Sequence, residues 1–227
     1  MIINPYAFGG GGGGGPTDPY FANVKALLHF DGADGSTTMT DVIGNTWTAQ
    51  GNAQLDTAQT KYGPSALLLD GATDYVTSTV AGYAPGTGDF TTECWFRIPS
   101  TNANNGIFAL GLAGTHSGAV GVACFGAGSL QVQNNNTANS ATATIPTNAW
   151  HHIVVQRASG TLVCAVDGVS VYSVADTRNI TATQLAVGGY YSSAFTLNGW
   201  IDDFRHTVGV ARYSFPFTPS ASPWLDS

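Results

Sequence analysis

From Val24 onward the chain alternates short apolar or every-other-residue runs with clusters of turn-forming residues. These runs cover residues 25–30, 65–69, 90–98, 106–112, 120–125, 150–157, 161–166, 169–174, 185–187 and 200–206. Successive side chains of a strand point to opposite faces, so sustained alternation predicts a strand with one face on a core. In the run 90–98, Phe90, Thr92, Cys94, Phe96 and Ile98 form one set, expected on the core side. Thr91, Glu93, Trp95 and Arg97 form the other, expected on a more polar side. Asp167-Gly168 between two such runs is the two-residue signal of a tight hairpin, where both turn residues need positive φ. Strands at this spacing predict an all-β sandwich or barrel. No helical periodicity and no internal repeat interrupts the pattern. The stretch around Asn134–Thr137, rich in Thr, Ala, Asn and Ser, reads as an exposed loop.

Composition narrows the picture. Of 227 residues 43% are hydrophobic and only 9% charged, with two Lys and a single Glu, so the Glu–Lys ladders of exposed helices cannot form. The net charge is −7 and the five Arg are scattered, which leaves no basic stripe for a phosphate backbone and argues against nucleic acid as partner. No stretch has the length of apolar residues needed to span a bilayer, and Met1–Tyr6 lacks the basic and apolar regions of a signal peptide. Cys94, Cys124 and Cys164 each lie within a strand-like run. They read as buried free thiols, with one disulfide and a spare thiol as the alternative.

Three segments follow: an arm (1–22), a sandwich (23–215) and a tail (216–227). The arm holds a hydrophobic plug, Ile2, Ile3, Tyr6 and Phe8, then seven glycines from Gly9 through Gly12 to Gly15. Polyglycine has high backbone entropy and permits close backbone approach to a partner. The arm therefore reads as a passive linker or as an assembly anchor, and the anchor is the working expectation.

Candidate chemistry is sparse. A retaining glycosidase needs two carboxyl groups about 5 Å apart, and the strand of Glu93 has no second acid. Only an Asp pair assembled by the fold would rescue catalysis, and the expectation is that the chain is not an enzyme. His151 and His152 point to opposite faces of a strand, so they cannot chelate one metal together. Asp202 and Asp203 are expected to diverge in the same way. Tyr190, Tyr191 and Asn135 are the candidates for sugar contact, as aromatic platform and polar loop.

Several phrases in order resemble the laminin-G-like family of concanavalin A-like jelly rolls. They are Ala26-Leu-Leu-His-Phe-Asp-Gly32, Lys61-Tyr-Gly-Pro-Ser-Ala-Leu-Leu-Leu-Asp-Gly71 with Asp74-Tyr-Val76, Phe90-Thr-Thr-Glu-Cys-Trp-Phe-Arg97, Trp150-His-His-Ile-Val-Val-Gln-Arg157, and Gly199-Trp-Ile-Asp-Asp-Phe-Arg205. The ending Gly209-Val-Ala-Arg-Tyr213 with Phe217-Thr-Pro219 resembles the close of such domains in tailed-phage virion proteins, with Ser220 in place of their second proline. The resemblance implies two curved antiparallel sheets, glycan binding at the concave face or rim, and in some members one structural Ca²⁺. Asp31 meeting Asp202 or Asp203 is the candidate start of that site. The glucanase arrangement Glu-x-Asp-x-x-Glu of the superfamily is absent. The resulting expectation is a capsid decoration protein or small tail accessory on the virion surface, assembled in the host cytoplasm. Its partners would be a major capsid or tail protein, in an oligomeric or lattice-bound assembly, with glycans as a further partner. A free glycan-binding adhesin module of a bacterial or prophage protein is the alternative.

Overall fold

The computed structural model describes residues 17–100, 105–111, 120–125, 128–135, 137–189 and 195–227. The candidate anchor residues Ile2, Ile3, Tyr6, Phe8, Gly9, Gly12 and Gly15, and the candidate sugar platforms Tyr190 and Tyr191, lie outside them. In chain order the strands are β1 (Val24–Leu28), β2 (Thr48–Gln50), β3 (Gln54–Asp56), β4 (Ala66–Asp70), β5 (Tyr75–Thr79), β6 (Phe90–Arg97), β7 (Asn105–Leu110), β8 (Val120–Phe125), β9 (Ser129–Asn134), β10 (Thr137–Thr144), β11 (Trp150–Ala158), β12 (Thr161–Val166), β13 (Val169–Ala175), β14 (Gln184–Val187) and β15 (Asn198–Val208). Among the described residues the helical content is confined to short 3-10 turns such as residues 21–23 and 81–83, and no helix is long and apolar enough to cross a membrane.

Two antiparallel sheets pack face to face. Sheet A runs β13-β12-β11-β6-β15-β4-β3, with β1 also paired to β15, and sheet B runs β10-β9-β8-β7-β14-β5-β2. Their inner faces supply one core, with Phe90, Cys94, Phe96, Ile153, Val155 and Phe204 from A meeting Phe108, Val122, Leu130, Val132, Leu185 and Val187 from B. All three cysteines are free and buried in it, and burial pushes the thiols of Cys124 and Cys164 above their ordinary range. The Asp167-Gly168 hairpin has φ of 49° and 81° at its two turn residues, as that turn demands.

Two expectations need correction. The Thr/Ala/Asn/Ser-rich stretch is a loop only at its start. Asn135, exposed at φ 54°, turns the chain, and Thr137–Thr144 is a strand at the edge of sheet B. An edge strand with one neighbour needs few apolar side chains, so its alternation is carried by Ala141 and Ala143 alone, which pack against the core. The second correction concerns the polar side of β6, which is not solvated. Glu93 is 0% and Trp95 5% exposed, because the chain after β15 folds back over the outer face of sheet A.

Candidate functional site

That returning segment builds the most polar buried region of the described chain. Glu93 and Arg205 are cross-strand neighbours on β6 and β15, and on the outer face of A the guanidinium gives Nε and Nη2 to Glu93 Oε1 at 2.9 and 2.7 Å. The other carboxylate oxygen accepts from the Tyr213 hydroxyl at 2.6 Å and faces His152 Nε2 at 3.1 Å. Burial by itself would raise the Glu93 pKa. The Arg205 charge and the His152 contact outweigh it and hold the carboxyl well below the usual carboxylate range. Arg212 and Arg205 both reach Asp18, which anchors the start of the sandwich to the same network. Tyr213 stacks on Phe217 at 4.0 Å between centroids, and its backbone exchanges two hydrogen bonds with the Gln156 amide. Phe217 then bonds the carbonyl of Gly168, where φ is 81° and a Cβ would collide with the Phe217 carbonyl. Only glycine serves there.

Asp202 and Asp203 do not diverge as expected. A bulge in β15 sets Asp202 opposite Trp95 and Arg205 opposite Glu93, with Asp203 at φ 52°. The extra residue puts both carboxylates on the outer face. Asp202 Oδ2 accepts the backbone N–H groups of Lys61 and Tyr62 at 2.7 and 3.0 Å, and burial pushes its pKa up to about 7. Asp203 instead holds the tail: Oδ2 accepts the Trp224 N–H at 2.9 Å and the Asp203 carbonyl accepts the Trp224 indole at 2.8 Å. Its Oδ1 meets His29 Nδ1 at 2.5 Å, and His29 Nε2 meets Asp226 at 2.8 Å. An imidazole with a carboxylate at each nitrogen donates twice as the cation. Burial would lower its pKa, but the bonds to Asp203 and Asp226 prevail and raise it to about 9.

Asp31 joins this group as anticipated: with His29, Tyr62, Asp203, Trp224 and Asp226 it lines a cavity of about 210 Å³. The donors nevertheless do not fit calcium, which takes six to eight oxygen ligands. Both Asp203 carboxylate oxygens and its carbonyl are committed to His29 and Trp224, Asp202 faces Lys61 and Tyr62, and among the described residues no three His, Cys, Asp or Glu converge as metal ligands. The positive charge in this acidic pocket comes from the chain's own imidazolium. His151, on the face opposite His152, bonds the Asp167 carboxylate at 2.7 Å and faces the Pro146 carbonyl. Sequence reasoning found Asp31 and Asp203. It missed His29, Asp18, Tyr213 and Trp224, whose partners lie more than a hundred residues away or, for Trp224, across a tail with no strand pattern.

Sheet B presents the opposite chemistry. None of its seven strands contains Asp, Glu, Lys or Arg. Of its outward positions Ala109, Ala123, Gln133 and Ala186 are buried, Thr77 and Gln131 are half-buried, and Asn135 stands exposed in its β9–β10 turn.

Two antiparallel sheets packed face to face on one core define a β-sandwich protein. A model of the Laminin_G_3 family, described as the concanavalin A-like lectin/glucanases superfamily, matches residues 70–207, and the chain belongs to that family. No curated protein matches it in sequence. Among solved structures it is similar to domain 4 of AbnA, a GH43 extracellular arabinanase from Geobacillus stearothermophilus in complex with arabinotriose, at 17% identity and a TM-score of 0.60, over 82% of this chain and 93% of that one. Trypanosoma rangeli sialidase in complex with sialic acid matches at 14% identity and a TM-score of 0.64, over 84% of this chain but 31% of the sialidase. The botulinum neurotoxin serotype D/C binding domain matches at 15% and 0.58, over 91% of this chain and 50% of that one. At these identities the likeness establishes the fold.

Proposed function

We propose that this chain is a non-catalytic binding module displayed on a tailed-phage particle, tethered by its N-terminal arm, with sheet B and its rim turned outward toward neutral glycans. The observation that carries the reading is the position of the chain ends. The Asp18 N–H donates to the Ser227 carbonyl at 2.6 Å, so the first described residues and the last one lie side by side, and Asp18 is tied to Arg205 on the covered face of sheet A. A tether there lies on the sheet opposite the uncharged one and its exposed Asn135 rim. Glu93 supports a non-catalytic role, because a carboxylate at 0% exposure, bound to Arg205, His152 and Tyr213, cannot serve as an acid toward substrate. The phage setting rests on the Gly209–Pro219 ending and the Gly9–Gly15 arm.

The absence of charge from sheet B also selects the sugar class. A sialic or uronic acid needs a cation to offset its desolvated carboxylate, whereas amides such as those of Gln131 and Asn135 suit neutral hydroxyls. The test is a glycan array probed with the full chain. Neutral oligosaccharides should be retained, sialylated ones should not, and Asn135→Ala should weaken retention. Retention of anionic glycans alone, or hydrolysis of any array member, overturns the reading. For the tether, a chain lacking residues 1–15 should no longer join particles, and full incorporation would refute it.

A further inference from the structure

The four terminal strands of the sandwich are protected very unequally. At one flank lie β2 and β3, three residues each, and β3 carries Asp56. At the other lie β10 and β13, eight and seven residues long, without a charged residue or a proline. These two strands lean on each other through a side chain, Thr142 Oγ1 donating to the Val171 carbonyl at 3.1 Å. Among the described residues no strand pairing or backbone hydrogen bond joins them. β10 is laddered to β9 along one side only, with an irregularity between Ser140 and Thr144, and Ser140, Thr142 and Thr144 are exposed along it. Natural sheets shorten, charge or break such an edge because its free N–H and C=O groups template another strand. Here the short-strand device is used at one flank and omitted at the other.

We propose that β10 is a self-association edge, on which two copies of this chain pair β10 with β10 antiparallel about a two-fold axis and join their sheets B into one. Charge decides in favour of a second copy. Each chain carries −7, so two copies repel one another over most of their surface. Every Asp, Glu, Lys and Arg lies outside residues 98–156, which contain the whole of β10. The ionic groups at the two ends of β13, Asp167 and Asp176, are paired with His151 and Arg178. A two-fold contact sets like residues against like, and a charged edge would be penalised there, while a Ser/Thr row gains cross-strand hydroxyl contacts. The inference rests on the strand edge alone and is independent of the phage and glycan readings.

Sedimentation of the purified full chain over a range of concentrations tests it. The expected result is a monomer–dimer equilibrium that does not weaken as salt is raised, with amide exchange in residues 137–144 slowed in the dimer. Ser140→Lys with Thr142→Lys should raise the dissociation constant at least tenfold without changing the circular dichroism of the monomer. Thr48→Lys on the exposed part of β2 should leave it unchanged. A monomer at every concentration overturns the proposal. So does a dimer that the lysines on β10 leave intact, or one dispersed by salt.

Discussion

Sheets A and B share one core and comparable strand lengths, yet their outer faces obey different physics. On A, six strands carry ionic residues, and the central ones are sealed beneath the tail: Glu93, Asp202, Asp203 and Arg205 are each at most 3% exposed. On B, no strand carries one. A buried ion pair adds little net stability over a well-packed apolar pair, but losing one partner is costly, so a network of such pairs fixes one arrangement of the segment that closes over it. Sheet A's outer face therefore acts as an attachment surface for the chain's own ends. Sheet B's has no charge to keep solvated or paired, which suits contact with a neutral ligand.

The sharpest way to break the contrast is to orphan a charge on A. Arg205→Ala leaves Glu93 buried without its main partner and should cost about 3–5 kcal/mol, read by urea unfolding. Removing the tail's wedge comes next. Trp224 is 4% exposed, with the Arg205 guanidinium 4.2 Å over its ring, and Trp224→Ala should cost about 3 kcal/mol or more by the same measurement. A smaller, pH-dependent effect should appear at the pocket. The folded pKa of His29 is raised to about 9, so its stabilising contribution is complete below about 6.5, its unfolded value, and is lost as pH rises through about 9. Melting temperature should fall across that window in the native chain, and His29→Gln should flatten the dependence while lowering the plateau at pH 6. The smallest effect belongs to sheet B: Gln131→Glu, on a half-buried outward position of β9, should alter stability by no more than about 0.5 kcal/mol. It should nonetheless reduce retention of neutral glycans, and an equally large stability loss there would erase the distinction between the faces.

Strands with strong alternation were legible in the chain almost to the residue. The run 120–125 is β8 and 161–166 is β12, because apolar period-two patterns and a positive-φ hairpin are local properties. β2, β3, β5, β9 and β10 were not among the recognised runs. They are short, or lie at or near a sheet edge where burial imposes little pattern. Asp31 was expected beside Asp202 or Asp203 as a cation ligand because the first and last strands of this fold are neighbours; β1 does pair with β15, and the pocket brings Asp31 to Asp203 without Asp202. The shared direction of Asp202 and Asp203 was hidden, since a bulge is set by what the strand pairs with.

The sequence by itself determined the class of fold, the absence of charge from nine of the fifteen strands, and the isolation of Glu93 from any second acid on its strand. Those properties are written in residue type and near-neighbour spacing. Tertiary structure alone decided that the tail covers sheet A, that His29 supplies the positive charge between Asp203 and Asp226, and that Ser227 ends beside Asp18. Each of these joins groups far apart in the chain, and their geometry exists only once two sheets and a returning segment have excluded water from the space between them.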